Sequence, residues 1–345
     1  MSRHLVLTLG LSLAVAPTAY GAPVPVTPDG TTSIPALDIP STPLMSREGN
    51  ESRVEHILTE RGLSGRPIGD FNAALFGPRL ERTKAAYPVK IRDATIGGVP
   101  VRIYEPPGGA PKAPVLINVH GGGFVGCFTE CGGLESIPVA ALTGLRVISI
   151  DYRLAPKAQF PEASQDVEAV YREVLKTTPA RRIGLYGCSA GGLLTAQSLA
   201  WFQKQGLPAP AAAGVFCAGG DASMGGDSRI LGMLLGDGEV PAGGPGGGGP
   251  RLGYMRSAAA SEPTAYPASD ATTLKTFPPT LVIVGTRDFA LSSAVNLHSK
   301  LVAQGVDARL HVWEGGRHAF FYDARVPEAR EAYAVMAQFF NERLK

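Results

Sequence analysis

The chain has 345 residues, of which 44% are hydrophobic and 18% are charged, and its formal net charge is +2. This composition suits one large globular domain with a sizeable core and room for a smaller cap. The near-neutral charge argues against a nucleic-acid partner, because the basic pair Arg181-Arg182 is isolated rather than part of a long basic run.

Residues 1–21 have the pattern of an export signal. Arg3 precedes an apolar stretch over residues 5–16, and the small residues Ala19 and Gly21 favour cleavage after Gly21. A disordered or membrane-anchored N-terminus is the alternative. The pattern predicts a periplasmic or secreted protein. No later segment is long and apolar enough to predict stable insertion into a membrane.

Residues 22–85 are predicted to form an N-terminal tether and cap helices. The first part, to about residue 45, is rich in Pro, Thr and Ser. The run Ser52-Arg53-Val54-Glu55 matches a capping box, which predicts that a helix begins there and continues to about Glu60. A second, weaker helical pattern extends over residues 70–82.

From Tyr87 onward, strand patterns come first and then alternate with helical patterns. Two alternating stretches flank Gly97-Gly98, which predicts a β-hairpin. Further strands are predicted from apolar runs at residues 113–119, 146–151, 182–186, 213–217, 280–285 and 308–313. Apolar strands that alternate with helices indicate an α/β fold: a mostly parallel central sheet with helices on both faces and an antiparallel end at the hairpin.

One connection, at about 219–275, is far longer than the ~2–6 residues of an ordinary loop between strand and helix. It holds a short apolar pattern at 230–235 and a glycine-rich run at 243–250, which predicts a flexible loop. Ligands of open α/β sheets bind at the carboxyl ends of the strands, and this insertion leaves such an end. We therefore expect it to roof a site, although a surface excursion without function is the alternative.

The chain is organised around Gly187-Cys188-Ser189-Ala190-Gly191, which lies between an apolar strand and a helical pattern. A G-x-S-x-G sequence in that context is the nucleophile elbow, a sharp turn that exposes a serine hydroxyl. The turn forces Ser189 into a strained conformation, and the flanking glycines remove side chains that would collide. The pattern predicts that Ser189 is a nucleophile.

A serine nucleophile needs a base, and the base needs an acid that orients it. His318 lies in a loop after the last predicted strand, at the edge of the sheet where the elbow opens. Asp288 follows the preceding strand, which gives the order serine, acid, histidine found in hydrolases of this type. Asp270 and Asp221 are rival acids within the insertion, and a helix N-cap is an alternative role for Asp288.

The negative oxygen that develops during acyl transfer needs backbone N–H donors. Ala190, at the start of the helix after the elbow, is predicted to supply one. The sequence His120-Gly121-Gly122-Gly123-Phe124 leaves an earlier strand and matches the glycine loop that supplies the others. The side chain of His120 is predicted to brace this loop rather than to carry protons.

The four cysteines lack the spacing of a zinc site, so we predict no metal. Cys127 and Cys131 lie four residues apart, and both a local disulfide and two free thiols stay open. Cys188 and Cys217 lie at the ends of apolar strands and are predicted to be buried thiols.

Together, the motifs at 120–124, 151–156 and 187–192, with Asp288 and His318, resemble the hormone-sensitive-lipase-like branch of the α/β-hydrolases, the bacterial esterases with an HGGG loop. The similarity covers about residues 85–345. It implies an α/β-hydrolase fold with a catalytic domain at 86–345 and a helical cap, built from the N-terminal helices and the insertion.

The resemblance also implies that Gly122, Gly123 and Ala190 form the oxyanion hole and that no cofactor is needed. Two positions depart from the usual pattern of the family. Cys188 stands before the nucleophile in place of Asp or Thr, and Lys157 stands where Glu is common. Neither change removes Ser189, Asp288 or His318, but a hydrogen bond that supports the loops near the site is expected to be rearranged.

The sequence therefore predicts a serine carboxylesterase that acts on short to medium acyl esters through a Ser-His-Asp triad and an acyl-enzyme. The alternatives are a lactonase or amidase with the same machinery, or a catalytically inactive hydrolase fold that binds a ligand. The expected partner is a small-molecule ester, and a homodimer stays open.

Overall fold

The computed structural model describes residues 24–33, 38–108, 114–222, 225–238 and 253–344. The predicted export signal and the glycine-rich run at 243–250 lie outside these residues. The chain up to Pro40 forms one unit, in which Val26 pairs with Thr32 across a turn. The chain from Ser41 onward forms the second unit, which contains the sheet.

In the described part of this second unit, the strands are β1 (Lys90–Ile96), β2 (Val99–Glu105), β3 (Val115–Val119), β4 (Arg146–Ile150), β5 (Ile183–Cys188), β6 (Ala212–Phe216), β7 (Thr280–Arg287) and β8 (Ala308–Arg317). The helices are α1 (Arg47–Gly62), α2 (Ile68–Ala86), α3 (Phe128–Thr143), α4 (Glu162–Leu175), α5 (Ala190–Lys204), α6 (Asp227–Gly232), α7 (Ala271–Leu274), α8 (Leu291–Ala303) and α9 (Pro327–Arg343).

The described strands form one eight-stranded sheet in the order β1-β2-β4-β3-β5-β6-β7-β8. The hairpin strands β1 and β2 are antiparallel to each other, and β2 is antiparallel to β4. All the other neighbours are parallel, from β4-β3 through to β7-β8. The predicted α/β class, with a mostly parallel sheet and an antiparallel end, is confirmed.

Burial explains why the central strands read as continuous apolar runs. Every residue of β3, β5 and β6 is buried, because helices cover both faces of the sheet. The helix α4 has a one-sided apolar pattern and buries Val167, Val170, Tyr171 and Val174. The parallel strands place their carboxyl ends at one edge of the sheet, where the site lies.

The helix α1 begins earlier than the sequence predicts. Its N-cap is Ser46, whose hydroxyl accepts a hydrogen bond from the Gly49 N–H at 3.0 Å. The capping box predicted at Ser52 is wrong, because the Ser52 side chain is buried inside the helix and donates to Asp323 at 2.9 Å. A tertiary contact therefore explains the serine that resembled a cap.

The described part of the insertion contacts α1. After α6, residues 233–237 form a single wide helical turn. Arg53 donates to the Leu235 carbonyl at 2.8 Å, and Arg61 donates to the Gly238 carbonyl at 2.8 Å. The same region approaches the carboxyl end of the sheet, since a Cβ atom on Gly236 would lie 2.1 Å from the Arg287 carbonyl oxygen. None of the helices within the described ranges is long and apolar enough to span a bilayer.

Candidate active site

Ser189 occupies the turn between β5, which ends at Cys188, and α5, which begins at Ala190. Its backbone has φ 58° and ψ −123°, a conformation that non-glycine residues rarely adopt. A Cβ atom on Gly187 would lie 2.1 Å from the Val119 carbonyl oxygen, and one on Gly191 would lie 1.9 Å from it. The two glycines are therefore required because the turn packs directly on the end of β3.

His318 lies between Ser189 and Asp288. Its Nε2 atom is 2.8 Å from the Ser189 hydroxyl oxygen, and its Nδ1 atom is 2.8 Å from a carboxylate oxygen of Asp288. Asp288 follows β7 and His318 follows β8, so three parallel strand ends supply the three side chains. The structure thus brings together the three residues that the sequence selected as a triad.

Burial and charge set the state of His318. Burial alone would lower its pKa, but the adjacent carboxylate of Asp288 opposes this effect and the pKa is raised above its ordinary value. The Phe289 ring stacks on the imidazole with 4.2 Å between ring centroids and limits its rotation. Asp288 is fully buried, and its carboxylate also accepts from the Ala290 N–H at 2.8 Å.

The structure distinguishes between the roles predicted for Asp288 and for its rivals Asp270 and Asp221. Asp288 is not the N-cap of α8, because Ala290 occupies that position. Asp270 caps α7 by accepting from the Thr273 N–H at 2.7 Å, and Asp221 accepts from the Ser293 hydroxyl. Neither rival hydrogen-bonds to His318.

The glycine loop borders the same cavity as Ser189. Gly122 and Gly123 have φ values of 110° and 63°, and both line this cavity. Within the described residues, neither of their backbone N–H groups donates a hydrogen bond. Ala190 is the first residue of α5, where a helical N–H has no partner inside the helix. Gly122 and Gly123 therefore share the cavity with Ser189, and Ala190 directly follows Ser189 in the chain.

Two further features hold the glycine loop in place. The His120 ring is fully buried, stacks on Tyr152 with 4.4 Å between ring centroids, and donates from Nδ1 to the Gly121 carbonyl at 2.6 Å. Burial lowers its pKa to about 4, so the ring is neutral and braces the loop. Cys127 and Cys131 form a disulfide at the start of α3, and a Cβ atom on Gly122 would lie 2.7 Å from the Cys127 Cβ.

The cavity above Ser189 has a volume of about 260 Å³. Its described lining comes from α1, α2, the turn at 233–237 and the ends of the strands. The apolar part of this lining includes Phe71, Leu75, Phe76, Met233 and Phe289, and the polar part includes His56, Glu60, Asp237 and Arg317.

The polar part of the lining is ordered by a chain of hydrogen bonds. The Arg79 guanidinium can only donate, so its contact of 3.2 Å makes Nδ1 of His56 an acceptor. The Nε2–H of His56 then faces a Glu60 carboxylate oxygen at 3.3 Å. Burial lowers the pKa of His56 far below its ordinary value, raises that of Glu60 and raises that of Asp237 to about 6.

The position of His56 in the cavity wall was not predicted, because nothing in the sequence places the helix predicted from Ser52 to about Glu60 against the sheet. The structure instead shows that α1 lies over the carboxyl end of the sheet and contributes His56 to the cavity wall. The spacing of four residues between His56 and Glu60, which puts them on one helix face, was the available signal.

Cys188 and Cys217 are buried free thiols, as predicted. Among the described residues, Cys217, Asp288 and His318 are close enough to resemble a set of metal ligands. Both imidazole nitrogens of His318 already bond to protein atoms, however, and burial raises the pKa of the Cys217 thiol well above its ordinary value. This chemistry fits a hydrogen-bonded Ser-His-Asp arrangement better than a metal centre.

A mostly parallel eight-stranded sheet with a nucleophile elbow at the end of β5 defines the α/β-hydrolase class. The model of a family described as alpha/beta hydrolase fold matches residues 116–322, and the chain belongs to that family. Within the family it belongs to the hormone-sensitive-lipase-like branch, as predicted.

Two solved structures share this fold over most of the chain. The crystal structure of an esterase E25 has a TM-score of 0.76 and 30% identity, covering 91% of this chain and 99% of its own. An esterase from the bacterial hormone-sensitive lipase family has a TM-score of 0.70 and 27% identity, covering 86% and 99%. A versiconal hemiacetal acetate esterase from Emericella nidulans is 38% identical over 120 residues, which are 34% of this chain and 41% of that relative. The chain thus matches less than half the length of that relative.

Proposed function

We propose that this protein is a serine carboxylesterase that hydrolyses short to medium acyl esters. The observation that carries the proposal is the placement of His318, with one ring nitrogen 2.8 Å from the Ser189 hydroxyl and the other 2.8 Å from Asp288. This arrangement lies beside a cavity of about 260 Å³, and several relatives are named as esterases.

In the proposed reaction, the Ser189 oxygen bonds to the ester carbonyl carbon while His318 Nε2 takes the hydroxyl proton. The charge of Asp288 stabilises the imidazolium that forms. The carbonyl electron pair moves onto oxygen, where the N–H groups of Gly122, Gly123 and Ala190 receive it. The tetrahedral intermediate then collapses and the bond to the alcohol oxygen breaks. The alcohol oxygen takes the proton from His318 and departs, and the acyl group remains bonded to Ser189. Water then repeats the sequence and releases the acid.

The preference for short to medium chains follows from the size of the cavity. We assign α1, α2 and the insertion at 219–275 to a cap, because residues of α1, α2 and the turn at 233–237 line the cavity. Each buried methylene contributes about 0.8 kcal/mol until the cavity is full. A longer chain must then remain in water or displace the cap.

The test is a rate series over p-nitrophenyl esters of increasing acyl length, with an emulsified long-chain triglyceride as comparison. The value of kcat/KM should rise, peak at short to medium chains and then fall. Faster hydrolysis of the emulsion would contradict the substrate range. A serine-reactive phosphonate should label Ser189, whereas an unlabelled protein without esterase activity would point to a ligand-binding hydrolase fold.

The same proposal includes export to the periplasm or the medium. The disulfide between Cys127 and Cys131 supports it, because such bonds persist in oxidising compartments. Cell fractionation and mass measurement of the mature protein test this point. Recovery from the cytoplasm with residues 1–21 intact would contradict it.

A further inference from the structure

A buried carboxylate lies directly behind the proposed active site. Glu135, on α3, has a relative exposure of 2%. One of its carboxylate oxygens accepts from the Gly121 N–H at 2.8 Å and from the Tyr322 hydroxyl. The other accepts from the Asn118 amide at 2.8 Å. No motif in the sequence singles out this residue.

These contacts connect the three segments that carry the proposed chemistry. Gly121 immediately precedes the oxyanion glycines, and Tyr322 lies in the loop that follows His318. The elbow packs against the same glycine that donates to Glu135. A Cβ atom on Gly121 would lie 3.0 Å from the Cys188 carbonyl oxygen. The carboxylate therefore stands where the glycine loop, the elbow and the histidine loop meet.

We propose that Glu135 is a positioning residue of the esterase reaction, which holds the oxyanion loop at the correct distance from Ser189 and His318. The inference rests on the proposed function. Glu135 is buried and is not part of the cavity lining, so it does not touch the substrate. It acts through the Gly121 N–H, which fixes the direction of the following peptide groups, and through the Tyr322 hydroxyl.

The groups around Glu135 suit an ionised acceptor. The Gly121 N–H and the Asn118 amide can only donate at these contacts, because the Asn118 oxygen already accepts from Ser149 at 2.8 Å. The Tyr322 hydroxyl donates as well. Burial raises the pKa of Glu135 to about 7, and these donors lower it from the higher value that burial alone would give.

The other titratable groups near Glu135 are neutral. Burial raises the pKa values of Tyr322, Tyr186 and Cys188, so none of them carries charge near neutral pH. Tyr186 donates to the backbone carbonyl of Glu135 at 3.2 Å and thereby fixes this part of α3. The carboxylate is therefore held by neutral hydrogen-bond donors.

The experiment compares Glu135→Leu with Glu135→Gln. The leucine variant leaves all three donors without a partner. The glutamine variant keeps an acceptor for Gly121 and Tyr322, and the Asn118 amide can turn over together with the Ser149 hydroxyl. We expect kcat to fall by about 10- to 100-fold in Glu135→Leu, as for a misplaced catalytic group, with KM changed less than about threefold. Glu135→Gln should recover most of the loss.

Glu130→Gln, in the first turn of the same helix, is the matched control and should keep the wild-type kcat. A second readout is the affinity for a trifluoromethyl ketone, which mimics the tetrahedral intermediate. It should fall in parallel with kcat/KM across the Glu135 variants, while the inhibition constant of the alcohol product stays unchanged. If Glu135 had a purely structural role, its replacement would lower thermal stability, but inhibitor affinity and kcat/KM would not fall together.

Folded Glu135→Leu protein with wild-type kcat, or with a loss confined to KM, would overturn the inference. If the leucine variant does not fold, a double-mutant cycle of Glu135→Gln and Tyr322→Phe decides. Losses in kcat that are not additive support the shared hydrogen bond, and additive losses overturn it. Wild-type protein that neither hydrolyses esters nor reacts with the phosphonate refutes the proposed function itself, whatever the variants do.

Discussion

The two ends of the parallel sheet use left-handed backbone in opposite ways. At the carboxyl end, left-handed conformations occur at residues with side chains. Among the described residues, the non-glycine positions with positive φ are Phe124, Cys127, Ser189, Cys217 and Ala319. Each lies in a segment that follows one of the strands β3, β5, β6 and β8, at the edge that holds the site.

At the amino end, the same conformations occur at glycine. Gly144, Gly206 and Gly305 end helices that lead into β4, β6 and β8, with φ values of 69°, 65° and 77°. A Cβ atom on any of the three would meet nothing within 4 Å. These turns are therefore unstrained and exposed, as expected of a helix C-terminus.

The difference shows where the fold accepts strain. A side chain in the left-handed region costs about 1–3 kcal/mol and persists only where the surroundings enforce it. At the carboxyl end they do, since the Ser189 N–H donates to the Phe216 carbonyl at 2.8 Å and the Cys217 N–H donates to the Ile283 carbonyl at 2.7 Å. Backbone hydrogen bonds thus hold two of the strained residues, Ser189 and Cys217, in place at this edge of the sheet.

The largest expected effect is on the nucleophile itself. Ser189→Ala and Ser189→Gly should both lower kcat by about four to six orders of magnitude, because the triad acts as a unit. Their stabilities should differ, since glycine relieves the strain at φ 58° and alanine does not. Chemical denaturation of both variants measures this difference. A tenth of the wild-type activity in Ser189→Ala would refute the assignment, and equal stabilities would show that the turn is unstrained.

The next largest effect is that of pH, which should change the activity and the stability contributed by His318 in opposite directions. His318 must be neutral to act as base, and its pKa is raised above the ordinary value of about 6.5. Activity should therefore fall about tenfold per pH unit below a midpoint that lies above that value.

The contribution of His318 to the free energy of unfolding changes with pH in the opposite direction to the activity. Because its folded pKa is raised, this contribution is fully present below the unfolded pKa of about 6.5 and is lost as pH rises through the folded value. The two profiles are measured by ester hydrolysis and by urea unfolding, with a His318→Ala variant as reference for the second. An activity that stays flat into strongly acidic pH would contradict the role of His318.

A smaller effect is expected from the disulfide beside the glycine loop. Replacing Cys127 and Cys131 together by serine should lower the free energy of unfolding by about 2 kcal/mol, the chain-entropy value for so short a loop. The value of kcat should fall only severalfold, because serine keeps the Cβ atom that packs on Gly122.

Reductant supplies the control for the disulfide. It should destabilise the wild-type protein by a similar amount and leave the double variant unchanged, while Cys188 and Cys217 stay buried in both. Alkylation of unreduced wild-type protein that finds four free thiols would exclude the bond.

The smallest effect belongs to the amino end of the sheet. Gly305→Ala should cost about 1 kcal/mol of stability, because it puts a side chain into left-handed backbone at φ 77°. It should leave kcat unchanged, since the turn lies at the edge opposite the site. Gly62→Ala adds the same methyl group to open space in helical backbone and should cost nothing. A drop in kcat for Gly305→Ala would show that the two ends are coupled.

Much of the fold could be predicted from local pattern. The apolar runs specify the buried parallel strands, the Gly97-Gly98 pair specifies the hairpin, and the elbow sequence specifies the turn at Ser189. Chain order and strand ends were also enough to select Asp288 and His318, because all parallel strands end at the same edge of the sheet. Their catalytic roles stay predictions until the variants are measured.

The rest depends on contacts between distant segments. The sequence pattern does not indicate α3, because Gly132, Gly133 and Pro138 have poor helix propensity. Burial stabilises this helix instead. Glu135 was missed with it, since its donors lie 14 to 187 residues away along the chain. His56 was missed because the docking of α1 over the site is a tertiary property.

The polar wall of the cavity also bears on the end of the proposed reaction. Hydrolysis converts a neutral ester into a carboxylate beside Glu60 and Asp237, with Arg317 as a counter-charge. This wall is net negative once both acids are ionised, and the pKa of Asp237 is raised to about 6. We expect the acid product of the proposed reaction to be repelled while the ester is not, so product inhibition should weaken as the pH rises and both acids ionise.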